Sequence, residues 1–241
     1  MKVEMHGSTN VGRVRKMNQD SIVFDGNLGF GVVADGIGGR PGGEIASDIV
    51  TRNLKKSIES TSLIRFDEVG SFMLSQVDKV NKAVLNYGRS HPKYAGLGTT
   101  VNFLYFTGDV LNLCHVGDSR TYLFYKEHMF QLTVDHNLGT FLDRGLVDES
   151  KVGHRSKPSA LMRAIGLKDT VESDLLTKKV KSGEIYITSS DGLFDMVEDI
   201  AIRRIISEHQ GNLEALPTSL IAEANKNGGV DNITVLVTKV L

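Results

Sequence analysis

Apolar positions recur along the chain in two rhythms, and the changes of rhythm mark its elements. Residues 21–25 and 30–34 are short β-prone runs, and Gly26-Asn27-Leu28-Gly29 between them predicts a hairpin. From Glu44 the period lengthens, with Ile45, Ile49, Leu54 and Ile58 spaced as one face of a helix. A second helix is expected over 67–87, its stripe made by Val69, Phe72, Met73, Val77, Val80, Val84 and Leu85. Residues 100–106 and 110–116, separated by Thr107-Gly108-Asp109, predict a second hairpin, and 120–125 and 129–133 are expected to extend that meander. Residues 137–160 are the least regular stretch, mixing a helix-like segment at 138–146 with polar loop. A strand over 184–190, helices over 198–209 and 213–225 (bent or started by Pro217), and a strand over 232–240 complete the pattern. Hairpin strands with helices in pairs argue for antiparallel sheets covered by helices in one domain.

Composition narrows the class. With 241 residues, 40% of them hydrophobic, the chain can bury a sizeable core. Its formal net charge is −1, with acids and bases interspersed, which gives no electrostatic argument for nucleic acid or an anionic membrane. Cys114 is the only cysteine and has no disulfide partner, which favours a reducing compartment. No apolar run of 18 residues occurs, and the start of the chain does not read as a signal peptide. A soluble, cytoplasmic protein is expected.

Candidate chemistry sits where apolar runs stop. Five motifs each carry an acid: Asn18-Gln19-Asp20, Asp35-Gly36-Ile37-Gly38-Gly39, Gly117-Asp118-Ser119-Arg120, Ser190-Asp191-Gly192 and Asp231-Asn232-Ile233-Thr234. Asp35, Asp118 and Asp191 follow runs that read as buried strands. A carboxylate there is costly unless positive charge meets it, and too few lysines and arginines run alongside to pair them all. Oxygen ligands from distant strand ends suit a hard divalent cation. Each motif also has a plainer reading. Asp-Gly is a common turn dipeptide, Asp118 could cap a turn, and Asp231-Asn232 could join a helix to a strand. The glycine-rich stretch 36–43 fails the dinucleotide fingerprint, because Pro41 stands where its last glycine is needed. His115, among apolar neighbours, reads as a satisfied core residue.

Taken together and in order, the motifs resemble one family. Arg15-Lys16-Met17-Asn18-Gln19-Asp20, Ala34-Asp35-Gly36-Ile37-Gly38-Gly39, Gly98-Thr99-Thr100, His115-Val116-Gly117-Asp118-Ser119-Arg120, Thr133-Val134-Asp135-His136, Arg163-Ala164-Ile165-Gly166, Ser190-Asp191-Gly192-Leu193 and Asp231-Asn232-Ile233-Thr234 look like the metal-dependent serine/threonine protein phosphatases, type 2C, in their compact bacterial form. The resemblance implies an α+β layered sandwich, with two antiparallel sheets packed face to face and flanked by helix pairs. It implies one catalytic domain over 1–241 with a flap around 139–159. It also implies two tightly bound Mn²⁺ or Mg²⁺ ions, held by Asp35, the Gly36 carbonyl, Asp191 and Asp231, and a third, weaker ion at Asp118 and Asp191. Asp20 would orient metal-bound waters, and Arg15 would clamp the phosphate with its planar fork. Arg120 is expected to support a nearby carboxylate. The implied partners are phosphorylated proteins and a cognate Ser/Thr kinase, with no nucleic acid or membrane, and a monomer is expected.

Several positions depart from the family pattern. Gln19 stands where eukaryotic relatives often carry Glu. Ile37 and Arg40 stand where relatives carry histidines, so no side-chain acid is evident for the leaving group. His154-Arg155-Ser156-Lys157-Pro158-Ser159 rearranges a family pattern and bears on substrate preference. A binding module that has lost catalysis and a small-molecule phosphohydrolase on the same fold are the other readings; retention of all the metal acids argues against the first.

Overall fold

The structure is a computed structural model that describes residues 2–39, 41–61, 65–153 and 156–241. Arg40, with its departure from the family pattern, and His154-Arg155 lie outside the described residues.

Among the described residues, ten strands form two five-stranded sheets in which every pairing is antiparallel. One sheet runs β2 (Asp20–Asp25), β3 (Phe30–Asp35), β4 (Val101–Thr107), β5 (Val110–Val116) and β8 (Asp174–Lys179). The other runs β1 (Val3–Asn10), β10 (Ile233–Val240), β9 (Ile185–Ser189), β6 (Arg120–Tyr125) and β7 (His128–Gln131). Side-chain alternation along the strands builds three cores. On β3, Phe30, Val32 and Ala34 face α1 (Gly43–Glu59) and α2 (Val69–Ser90), while Val33 faces the second sheet. On β10, Ile233, Val235 and Val237 face α5 (Asp199–Glu208) and α6 (Leu216–Lys226), while Leu236 and Val240 point between the sheets. The layers are therefore helix pair, sheet, sheet, helix pair, as the resemblance implied. Two short helices, α3 (Leu138–Asp143) and α4 (Asp191–Phe194), lie in the connections.

The elements differ from the sequence reading in instructive places. β6 and β7 do not extend the β4–β5 meander, because the chain crosses to the other sheet through Gly117-Asp118-Ser119. Gly117 makes the crossing possible. Its φ is +113°, and a Cβ there would lie 2.5 Å from the Thr100 side chain. β7 is shorter than expected, since Lys126 and Glu127 turn at positive φ and the chain leaves the ladder after Gln131. β1 and β8 were not read from the sequence at all. Both are outer strands of their sheets, and β8 has a largely exposed pattern with little apolar signal. α1 buries Ala46, Val50, Leu54 and Ile58, whereas Ile45 and Ile49 only flank that face. Pro217 starts α6 and does not bend it.

Candidate metal centre

Strand register gathers the acids at one end of the sandwich. Asp20 opens β2 directly opposite Asp35, which closes β3. β9 ends at Ser189, two residues before Asp191, and pairs with β10, whose start follows Asp231 by two residues. β6 pairs Arg120 with Ser189, which sets the Gly117-Asp118 crossing beside Asp191. Asp35, Gly36, Asp118, Asp191, Asp231, Arg15 and Gln19 all line one cleft of about 960 Å³. Asp20 is not part of that lining but is buried within electrostatic reach of Asp35, Asp191 and Asp231.

The backbone around Asp35 is fixed by its neighbours. Its N–H donates to Thr100 Oγ1 at 2.9 Å, and its carbonyl accepts from Thr100 N–H and the Thr99 hydroxyl, both at 2.8 Å. Gly36 N–H donates to the Gln19 carbonyl at 3.1 Å. A Cβ on Gly36 would lie 2.3 Å from the Gly43 carbonyl oxygen and 2.6 Å from that of Gln19, so only glycine lets the chain pass here. Asp20 is gripped on one oxygen: Ser190 Oγ and Thr234 Oγ1 donate to Oδ2 at 2.8 and 2.7 Å. Asp231 accepts from Asn232 N–H at 2.8 Å and from Arg15 Nη2 at 2.5 Å. Gln19 Nε2 donates to Glu44 Oε2 at 3.0 Å.

The charges are badly balanced without a cation. Burial, then Asp20 and Asp191, pushes Asp35 well above the ordinary carboxylate range. Burial, then Asp118 and Asp231, pushes Asp191 up to about 8. Burial raises Asp20 to about 6 against the pull of Thr234 and Ser190, and burial and Asp135 raise Asp118 to about 6. The hydrogen bond to Asp231 raises Arg15. Oδ1 of Asp20 and Oδ1 of Asp191 are buried with no hydrogen-bond partner. Such atoms are costly unless something positive meets them.

No three His, Cys, Asp or Glu side chains among the described residues are drawn tightly enough around one point to grip an ion as they stand. The donor set decides the question of fit. It consists of carboxylate and carbonyl oxygens, with orphaned buried Oδ1 atoms among them, and suits Mn²⁺ or Mg²⁺ better than Zn²⁺.

Several contributors were not assigned from sequence. Asp195 stands four residues after Asp191, so one helical turn sets it on the same side, and it adds to the charge felt by Asp118 and Asp191. That spacing was the available signal. Ser190 and Thr234 as the grip on Asp20, and Glu44 as the partner of Gln19, had no signal in the sequence. Arg120 does support a carboxylate, donating to Asp135 from Nε at 3.0 Å and from Nη2 at 2.7 Å. His115 is a buried core residue bonded to Asn102 and to the Val134 carbonyl, with burial pushing it down to about 4.

With this geometry in view, known proteins were compared. The family model described as Protein phosphatase 2C matches residues 12–214. The serine/threonine phosphatase stp of Listeria monocytogenes is 31% identical over 236 residues, covering 96% of this chain and 93% of that protein. The solved serine/threonine phosphatase of S. agalactiae is 30% identical with a TM-score of 0.88, covering 99% of this chain and 100% of that one. The catalytic domain of the phosphatase PstP, solved in complex with two manganese ions, is 28% identical with a TM-score of 0.85, covering 99% and 98%.

Proposed function

We propose that this chain, which belongs to the protein phosphatase 2C family, is a serine/threonine protein phosphatase that hydrolyses phosphoserine and phosphothreonine monoesters at a centre of two manganese or magnesium ions. The observation that carries the reading is the meeting of five aspartates at one end of the sandwich, two of them with buried, unpartnered oxygens. The manganese complex of the related catalytic domain supports it from outside the chain.

Asp35, Asp191 and Asp231, with the Gly36 carbonyl, would hold the two ions. When bound, such a pair neutralises phosphate charge and activates a water for in-line attack. Asp20, held by Ser190 and Thr234, keeps one oxygen free toward the other acids and orients what lies between them. Arg15, steadied by Asp231, keeps further N–H groups for the phosphate oxygens. The described cleft lining contains no histidine, so no imidazole there hands a proton to the leaving serine oxygen. Asp118, Asp191 and Asp195 would share a third, weaker ion. The whole chain acts as one catalytic domain with a flap at 139–159, and reverses a Ser/Thr kinase as a cytoplasmic monomer. No helix among the described residues is long and apolar enough to cross a membrane.

The test is hydrolysis of p-nitrophenyl phosphate and a phosphothreonine peptide with Mn²⁺, without it, and with chelator. Turnover of both substrates only with the metal is expected. Metal-independent turnover, or none on either substrate, would overturn the reading. Hydrolysis of phosphometabolites without phosphopeptides would transfer it to a small-molecule enzyme.

A further inference from the structure

The cleft that holds the acids is far larger than a phosphoserine side chain, and its far wall has a different character. Beside the aspartates it is lined by Ile37, Leu138, Val152, Leu161 and Met162, with Lys157 as the one charged side chain added by the described residues of 138–162. Every acid in the described lining belongs to the floor: Asp35, Asp118, Asp191 and Asp231.

This wall is built into the same hydrogen-bonded frame as the floor. Ile37 N–H donates to the Gly98 carbonyl at 2.9 Å, next to the Thr99 and Thr100 bonds that fix Asp35. Thr99 exchanges hydrogen bonds with Ile165 at 3.1 and 2.9 Å. From there the chain runs back to Met162, whose N–H donates to the His136 carbonyl at 2.8 Å. Leu138 and Gly139 donate to the carbonyls of Ala160 and Pro158 at 2.9 and 2.8 Å, closing the base of the segment. Ile37, Leu138, Leu161 and Met162 thus stand on backbone tied stepwise to Asp35, and their distance from the reacting phosphate is set by the fold. Leu138 is buried, while Ile37, Leu161 and Met162 are half-buried and face the cleft.

We propose that this wall is a specificity site for an apolar side chain near the phosphorylated residue of the substrate. The inference rests on the phosphatase reading and names its substrate class: phosphopeptides carrying a bulky aliphatic residue within reach of the phosphoserine or phosphothreonine. An aliphatic side chain gains by leaving water for this wall, whereas an acidic or amide side chain loses hydration and finds, among the described residues there, only Lys157 and the hydroxyls of Ser156 and Ser159.

The experiment uses the full chain with Mn²⁺ and a phosphothreonine peptide in which Leu, then Asn, is placed at each of the three positions on either side. One or more positions should favour Leu over Asn by about tenfold in kcat/KM, the discrimination an open hydrophobic subsite gives. Leu161→Ser and Met162→Ser should each shrink that Leu-to-Asn ratio severalfold, a comparison made within each variant and so independent of its total activity. Thermal melts confirm that the variants are folded, and Leu161→Val and Met162→Leu should keep the ratio. A Leu-to-Asn ratio within twofold at all six positions, while p-nitrophenyl phosphate is still hydrolysed, would overturn the specificity site and leave the phosphatase reading intact. A preference that survives both serine variants would also overturn it. Failure on every phosphoester would instead strike the phosphatase reading itself.

Discussion

Stripping divalent metal from the protein should make its stability fall as pH rises, and the structure gives the window. Asp191 is pushed up to about 8 in the folded chain, against an ordinary aspartate value near 4 in the unfolded one. A carboxyl with a raised folded value binds more protons folded than unfolded. Its contribution is fully present below the unfolded value and is lost as pH rises toward the folded one. His115 works the other way, because burial pushes it down to about 4, and a depressed histidine adds stability as pH rises toward its unfolded value. The clearest window is therefore pH 6.5 to 8, where folded His115 is neutral and the last of its unfolded charge offsets only about 0.4 kcal/mol. There Asp191 alone should cost about 1.6 kcal/mol over the 1.5 pH units, since its folded carboxyl is half-ionised at pH 8, and Asp35, also raised, acts in the same direction. For a chain of this length the Asp191 part alone is a fall in Tm of roughly 5 °C. The assay is differential scanning fluorimetry of chelated protein at low buffer concentration from pH 6.5 to 8, repeated with saturating Mn²⁺. Metal should restore more stability at pH 8 than at pH 6.5, since ions compete with protons for the same oxygens. Asp191→Asn should flatten the chelated slope. A chelated wild type that melts equally high at both ends, or an Asp191→Asn variant with the wild-type slope, would refute the reasoning.

Three further outcomes are expected. Arg15→Ala should raise KM for phosphopeptides, with kcat falling as well if the guanidinium grips the transition state more tightly, and Arg15→Lys should rescue only part because an ammonium cannot make the forked contact; unchanged kinetics would return Arg15 to a partner of Asp231 alone. Asp118→Ala should cut kcat strongly while calorimetry still finds two tight Mn²⁺ sites, and unchanged turnover would limit Asp118 to ordering its turn. Shortening the segment within 139–159 should reduce phosphopeptide turnover far more than p-nitrophenyl phosphate turnover, whereas equal losses would make it a support of the acidic floor.

How far the sequence could be read depended on what each residue's neighbours are. Buried strands such as β3, β5 and β10 announce themselves because both faces are covered, so they read as apolar runs that stop at Asp35, stop before Asp118 or start after Asp231. β8 and β1 were missed because each borders a sheet and carries charge on its open side. The crossing of β5 to β6 between sheets was missed because a hairpin and a crossing differ only in the conformation of Gly117, which no hydrophobic period reports. At the centre, the aspartates were legible since each lies at a strand end or within two residues of one. Their supports were not. Glu44 of α1 reaches Gln19, and Thr234 of β10 reaches Asp20 of the other sheet across 214 positions, contacts made only when helix and sheets pack together. Asp195 could have been found by counting one helical turn from Asp191.

The most direct test of the metal centre is anomalous diffraction at the manganese edge from crystals of the wild type grown with Mn²⁺. Two strong peaks are expected, both within bonding distance of Asp35, with Gly36 carbonyl, Asp191 and Asp231 oxygens completing them, and Asp35→Ala crystals should lose both. Manganese bound elsewhere in the wild type, or two peaks that persist beside Asp191 and Asp231 when Asp35 is alanine, would contradict the assignment of Asp35 as the carboxylate that joins the pair.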